Sequence, residues 1–228
     1  MSREPSHPVP GRTFTQDARR AQIVEATIET LAEMGYTKTS FTAICRHAKL
    51  SSTGLITYHF TGKPQLLREV TRTILEKAGA VRTGRIAQET TYRGKLSAYI
   101  TSHFDFVASH PAHARALTEI VELVRERRAP GLDEISRSAL SVESLVVLLE
   151  EGCLAGEFRI PDPTVLALAV QGAIDNVVRH HRLFPVPDLS CRARELTDIF
   201  DRCTAMGQPP ARVFPAGGRA ARGATGNG

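Results

Sequence analysis

Apolar residues recur at helical spacing along nearly the whole chain, and nowhere do they alternate with polar ones as a half-buried strand requires. Ile23, Val24, Ile28, Leu31 and Met34 form one stripe, which predicts an amphipathic helix stopping at Gly35, a residue that takes a left-handed cap conformation at little cost. Phe41, Ile44, Cys45 and Ala48 follow at i, i+3, i+4 and i+7, with Ser40 placed to cap that second, short helix. Lys49 and Leu50 interrupt the pattern. Ser51, Ser52 and Thr53 then offer three candidate caps, and Leu55, Ile56 and Phe60 anchor a third helix. Gly62 and Pro64 mark a restart, because proline fits a first helical turn, and a long helix runs from there to Gly79 or beyond.

Further breakers divide the remainder into helices at about 95–109 before Pro111, 111–128 before Pro130, 135–155 before Gly156, 162–183 before Pro185, and 189–206. The fold class is therefore all-α with about nine helices. Residues 1–17 and 207–228 carry Pro and Gly without periodicity and read as a disordered N-terminal arm and a disordered tail.

Composition changes this picture little: 42% hydrophobic and 23% charged residues are ordinary for a globular protein. No apolar run is long enough to span a membrane and the N-terminus lacks a signal-peptide core, so a cytoplasmic protein without membrane contact is expected. Cys45, Cys153, Cys191 and Cys203 form no CxxC pair and read as free thiols. His103, His110 and His113 lie close in sequence, and His180 with His181 are candidates to join them. Scattered surface or pocket-lining histidines are the preferred reading over a metal site, and neither metal nor cofactor is expected.

Charge is more informative by position than in total. Residues 1–80 carry a net +4 and residues 207–228 a net +3, whereas 81–206 carry −2, against +5 for the chain. A basic N-terminal module suits a polyanionic partner, although solubility alone would explain the excess.

Two short helices joined by a tight turn, the second rich in Ser, Thr, Tyr and His, suit a reading helix laid in a DNA major groove. Residues 19–80 resemble the N-terminal domain of the TetR family of regulators. The resemblance rests on Arg20, the Ile23–Met34 stripe, Gly35-Tyr36, Thr39-Ser40-Phe41, Ile44 and Ala48, and then on Gly54 to Phe60 (GLITYHF) and Lys63 with Leu66-Leu67. It implies a three-helix DNA-binding domain over 18–80 and a helical effector-binding and dimerisation domain over 81–206. It also implies that Ser51, Ser52, Thr53 and Gly54 begin the recognition helix, and that Thr57, Tyr58 and His59 touch bases or phosphates. Thr42, Arg46 and Lys63 would hold phosphates, which position the domain without reading sequence. The chain departs from the family in two places: Lys49 stands where a turn glycine is usual, and one extra residue precedes Gly54.

Beyond the first third, the resemblance extends only to helical layout. The segment PTVLALAVQGAIDNVVRHH is apolar on more than one face, with Ala169, Gly172 and Ala173 small enough for two backbones to approach. The last helix carries Leu189, Leu196, Ile199, Phe200 and Cys203, expected along one side. Homodimerisation through 162–183 and 189–206 is the expected solution, preferred to a deeper intramolecular core, and two-fold symmetry implies a palindromic double-stranded operator. The family also implies a small-molecule effector; Tyr99, His103, Phe104 and Phe106 have the mixed composition of its pocket, and no residue is assigned to ligand. The function expected is a repressor released from its operator by that effector. An all-helical enzyme is disfavoured because no GxSxG, HExxH or nucleotide-binding glycine motif occurs, and a helical adaptor would leave the polar third helix unexplained.

Overall fold

A computed structural model describes residues 14–126, 141–184 and 188–205. Most of the expected arm, all of the expected tail and the ends of two expected helices, within 127–140, lie outside the described residues. The described residues form nine helices and no strand: α1 Phe14–Lys38, α2 Phe41–His47, α3 Gly54–His59, α4 Lys63–Ile86, α5 Tyr92–Ser109, α6 Pro111–Arg125, α7 Glu143–Leu154, α8 Pro163–Leu183 and α9 Leu189–Thr204. The all-helical expectation is met. Helix α1 begins at Phe14, inside the segment expected to be an arm, and α4 continues past residue 80 to Ile86.

Local chemistry explains most of these boundaries. Side-chain oxygens of Ser40, Thr91, Asp162 and Asp188 accept hydrogen bonds from the first free backbone N–H groups of α2, α5, α8 and α9. Gly35 adopts φ 72°, ψ 171°, so the continuous helical run to Lys38 is broken there as expected, and Thr39 Oγ1 donates to the freed Gly35 carbonyl at 2.8 Å.

Two apolar clusters follow. The first joins Ile23, Ile28 and Leu31 of α1 to Ile44 of α2, Ile56 of α3 and Leu66, Val70 and Ile74 of α4. It also takes in Phe106 of α5 and Ala116, Ile120 and Leu123 of α6. Helices α1 to α4 therefore share one core with α6. The second cluster is built from α5, α7, α8 and α9, around Ile100, Phe104, Leu145, Leu149 and Val170. Helix α5 contributes to both, which makes it the common wall of the molecule. In α7 a Cβ on Gly152 would sit 2.2 Å from the buried ring of Phe158, so this helix face admits only glycine.

The last helix departs from its expected layout. Leu189, Ala193, Leu196 and Phe200 turn into the second core, whereas Ile199 and Cys203 are exposed. The apolar residues of α9 thus split between an internal face and an outer one, because intramolecular packing against α5 claims the first set.

Candidate nucleic-acid interface and ligand cavity

Helix α3 is set on a buried base. Ile56 and Phe60 have 0% and 1% of their surface exposed, and Leu55 is half-buried. These three side chains occupy the inner side, so the remaining ones point outward. Thr57 is exposed, its Oγ1 donating to the Gly54 carbonyl at 3.1 Å. Tyr58 is 71% exposed, and its hydroxyl accepts a 3.3 Å hydrogen bond from Gln16 at the start of α1. His59 is half-buried, edge-on to the Tyr58 ring with centroids 5.1 Å apart. Ser51, Ser52, Thr53 and Gly54 are all exposed, as are Thr42 and Arg46, one turn apart on α2.

None of the three candidate caps uses its side chain. The backbone carbonyls of Ser52 and Thr53 accept from Leu55 and Ile56 N–H at 3.3 and 3.0 Å, so the extra residue is absorbed in a tight turn that starts α3. The turn after α2 is closed by Lys49 at φ 52°, with Leu50 N–H bonded to the Cys45 carbonyl and Lys49 N–H to that of Arg46. This is a Schellman motif with lysine at the left-handed position where glycine is free of strain. Lys49→Gly removes roughly 1 kcal/mol of strain and restores some unfolded-chain entropy. A net gain of about 0.5 kcal/mol is expected, read as a higher urea midpoint; a lower midpoint would show that the lysine side chain supplies contacts outweighing the strain.

Three side chains that the sequence reading did not assign brace this surface. Arg20 donates from Nη1 to the His59 carbonyl at 3.1 Å, pairs through Nη2 with Glu69 of α4 at 2.9 Å, and stacks its guanidinium 4.3 Å over the Phe60 ring. Gln22 donates to the Ala48 carbonyl at the end of α2, at 2.9 Å. His47 meets Glu29 of α1 at 2.6 Å. All three tie α1 to the ends of α2 or α3. Such pairings join residues 18 to 39 positions apart, so spacing alone gives no sign of them.

Lys63 occupies the N-terminus of α4 as expected, but its Nζ donates to the Tyr36 carbonyl at 3.0 Å and lies 3.8 Å over the Tyr36 ring. Burial lowers the pKa of this ammonium. The side chain therefore anchors the short turn after Gly35 to α4.

Behind the module lies a cavity of about 340 Å³ walled by α4, α5, α6 and α8. Its apolar side is formed by Leu75, Val107, Leu117, Val121, Ile174 and Val178. Its polar side includes Arg82, Tyr99, His103, Gln171, Asp175 and Arg179. The Tyr99 hydroxyl donates to Gln171 Oε1 at 3.0 Å, Gln171 Nε2 donates to Asp175 at 2.9 Å, and Arg125 reaches the same carboxylate at 3.2 Å. His103 Nδ1 meets the Tyr99 carbonyl at 2.8 Å, and burial lowers the imidazole pKa, favouring the neutral ring.

Tyr99, His103 and Phe106 line this space, at i, i+4 and i+7 of α5. Phe104 does not: it packs into the second core. Of the clustered histidines, His110 and His113 meet with ring centroids 5.6 Å apart, while His103 lines the cavity. His110 stacks on Phe106, His113 is buried beside Lys77 of α4 and Glu25 of α1, and His180 lies against Phe184. Among the described residues no three His, Cys, Asp or Glu side chains are grouped to hold a metal.

Residues 23–70, which span α1 to α4, match the sequence model of "Bacterial regulatory proteins, tetR family". The N-terminal module is thus similar to that of the TetR family, by a model match that covers residues 23–70. Among curated relatives, the HTH-type transcriptional regulator BetI of Paraburkholderia phymatum is 33% identical over 91 residues, which cover 40% of this chain and 46% of that protein. The chain thus spans less than half the length of the first relatives it matches. BetI of Cronobacter sakazakii is 29% identical over 204 residues, covering 86% of this chain and 95% of the relative. A transcriptional regulator from Saccharomonospora viridis, solved in complex with choline, shares the fold with a TM-score of 0.74 at 16% identity, over 84% of this chain and all of that one. The family-model match is confined to the module that carries α3, whereas the alignment with the C. sakazakii regulator and the likeness of fold extend over the C-terminal helices. Among the described residues no helix is long and apolar enough to cross a membrane.

Proposed function

We propose that this chain is a DNA-binding transcriptional regulator of the TetR family that holds a double-stranded operator as a homodimer and releases it when a small molecule enters the cavity. The observation that carries this reading is the exposed Thr57–Tyr58 edge of α3, raised on a buried Ile56–Phe60 base and pinned at its C-terminal end by Arg20. A helix so short is stable only because its inner side is packed, and its outer side is then free to enter a major groove. Thr42, Arg46 and the Ser51–Gly54 turn supply the flanking polar groups for phosphates, with Lys63 at the α4 N-terminus.

Val165 and Leu168 on α8 are 62% and 56% exposed, and Ile199 on α9 is 54% exposed. An isologous contact through α8 and α9 would cover these side chains and set two reading helices on a palindromic operator. Relatives named as transcriptional regulators support the DNA reading, and the choline complex of a structural neighbour supports a small-molecule effector. Repression is the expected sense, and the cytoplasm the expected place of action; no catalytic role is assigned.

Coupling between effector and operator has a physical route. Helix α6 lines the cavity with Leu117, Thr118 and Val121 and, from its other side, packs Ala116 and Ile120 into the core shared with α1. A ligand that shifts α6 therefore moves α1, and α1 carries the Arg20 anchor of α3. Selection from random duplex DNA at two salt concentrations tests the proposal. Enrichment of a palindrome, with affinity falling steeply as salt rises, is expected. Absence of any enriched sequence, together with no binding at low salt, would overturn it.

A further inference from the structure

The charge on the cavity wall is unevenly compensated. Arg82, Arg125 and Arg179 face Glu122 and Asp175 across this space. Asp175 is occupied by Arg125 and Gln171, and Glu122 is faced at 3.8 Å by Arg182, which is not part of the wall. Arg82 and Arg179 have no carboxylate within ion-pair distance among the described residues, although both are half-buried. Burial lowers the His103 pKa and so disfavours a further positive charge there. Among the described residues two guanidinium groups thus stand without counter-ions beside an aliphatic wall, and a guanidinium in that setting prefers a planar anion that accepts two parallel hydrogen bonds.

The aromatic rings point the same way. A quaternary ammonium is held by aromatic faces. Here the Tyr99 ring already has the Arg82 guanidinium 5.3 Å from its centroid and the His103 ring against it at 4.9 Å. Phe106 is stacked on His110, with centroids 5.0 Å apart and planes 16° from parallel. A cation entering would meet engaged rings and two uncompensated positive charges. The volume, about 340 Å³, lies near the lower end of the roughly 300–1,000 Å³ usual for ligand sites and favours a compact molecule.

We propose that the cavity binds a small organic monocarboxylate, its apolar body against Leu75, Leu117, Val121 and Ile174 and its carboxylate on Arg82 and Arg179. This rests on the effector reading above and deepens it by naming the ligand class. Arg82 comes from α4, which also carries the Lys63 anchor and the Glu69 partner of Arg20, whereas Arg179 comes from α8. A carboxylate shared between them would draw α4, which runs out of the N-terminal module, toward α8.

The test uses calorimetry on the full-length protein with benzoate, 4-hydroxybenzoate, phenylacetate and hexanoate, each paired with its primary amide, and with choline. At least one acid is expected to bind at least about tenfold more tightly than its amide. Arg82→Gln and Arg179→Gln should each weaken that acid by about tenfold or more and leave the amide unchanged, with Arg115→Gln, an exposed position on α6, behaving as the parent. Equal binding of acid and amide, no effect of either substitution, tighter binding of choline, or no binding across the panel would each overturn the proposal. Adding bound probes to the protein–operator complex separates the two readings. An amide that binds and releases DNA keeps the effector reading and defeats the anionic site; an acid that binds through both arginines yet leaves operator affinity unchanged does the reverse.

Discussion

Tyr58→Ala is expected to weaken binding to the selected operator by about 30-fold or more while leaving the melting temperature of the protein within about a degree. The second half of this expectation follows from exposure. Tyr58 is 71% exposed and its hydroxyl partner is the surface residue Gln16, so its removal breaks no core contact, and surface substitutions of this kind stay within about 0.5 kcal/mol. The first half follows from position and symmetry. A side chain on a reading helix contributes about 1–3 kcal/mol at a base edge, and a two-fold dimer loses it at both half-sites. A total of at least about 2 kcal/mol corresponds to the stated fold-change. Titration of the selected duplex at fixed salt, alongside a scrambled duplex, gives the answer. Unchanged operator affinity would show that α3 is not the reading element. Equal losses on both duplexes would assign Tyr58 to phosphate contact.

Arg20→Ala acts through the fold. This guanidinium is largely buried, with 14% of its side chain exposed, and it satisfies the His59 carbonyl, the Glu69 carboxylate and the Phe60 ring face together. Removing one member of a buried ion pair typically costs about 3–5 kcal/mol. Glu69 keeps a second partner in Arg72 at 2.6 Å, so the lower end, about 3 kcal/mol, is expected. For a chain of this size that is a fall of roughly 6–12 °C in melting temperature. Arg20→Lys should recover only part of it, because an ammonium cannot reproduce the forked geometry.

The pH dependence gives a second readout of the same pair. Hydrogen bonding from Arg72 first, and then from Arg20, holds the Glu69 carboxyl below its ordinary pKa against the opposing effect of burial. A depressed carboxylate stabilises the fold above its unfolded pKa, and that contribution is lost as pH falls through the folded value. The gap between parent and Arg20→Ala should therefore narrow in acid. An equal gap at neutral and acid pH would mean that lost packing on Phe60, not the ion pair, accounts for the defect.

The helical order of the chain was legible because helix periodicity and caps are local. The Ile23–Met34 stripe, the stop at Gly35, the cap at Ser40 and the restart at Pro64 all depend on residues within a few positions of one another. The exposure of Ser51–Gly54, Thr57 and Tyr58 follows from the same reasoning, since Ile56 and Phe60 claim the opposite side of a short helix. Even the departure at Lys49 was readable: a residue in a glycine position must take up the left-handed turn or abolish it, and it takes it up.

Other features depended on which surfaces meet. Nothing near Arg20 in the chain marks the His59 carbonyl or Glu69 as its partners, and Lys63 turns to Tyr36, 27 residues away, because α1 ends beside the start of α4. Phe104 left the expected pocket and Leu189, Leu196 and Phe200 left the expected outer face for one reason. A helical stripe records that a face is buried, while the identity of the covering helix is a property of the assembled core. The uncompensated arginines of the cavity are the extreme case. Arg82 and Arg179 lie 97 positions apart, each ordinary in its own helix, and they become a site only where packing of α4 against α5 and of α5 against α8 brings them to the wall of one cavity.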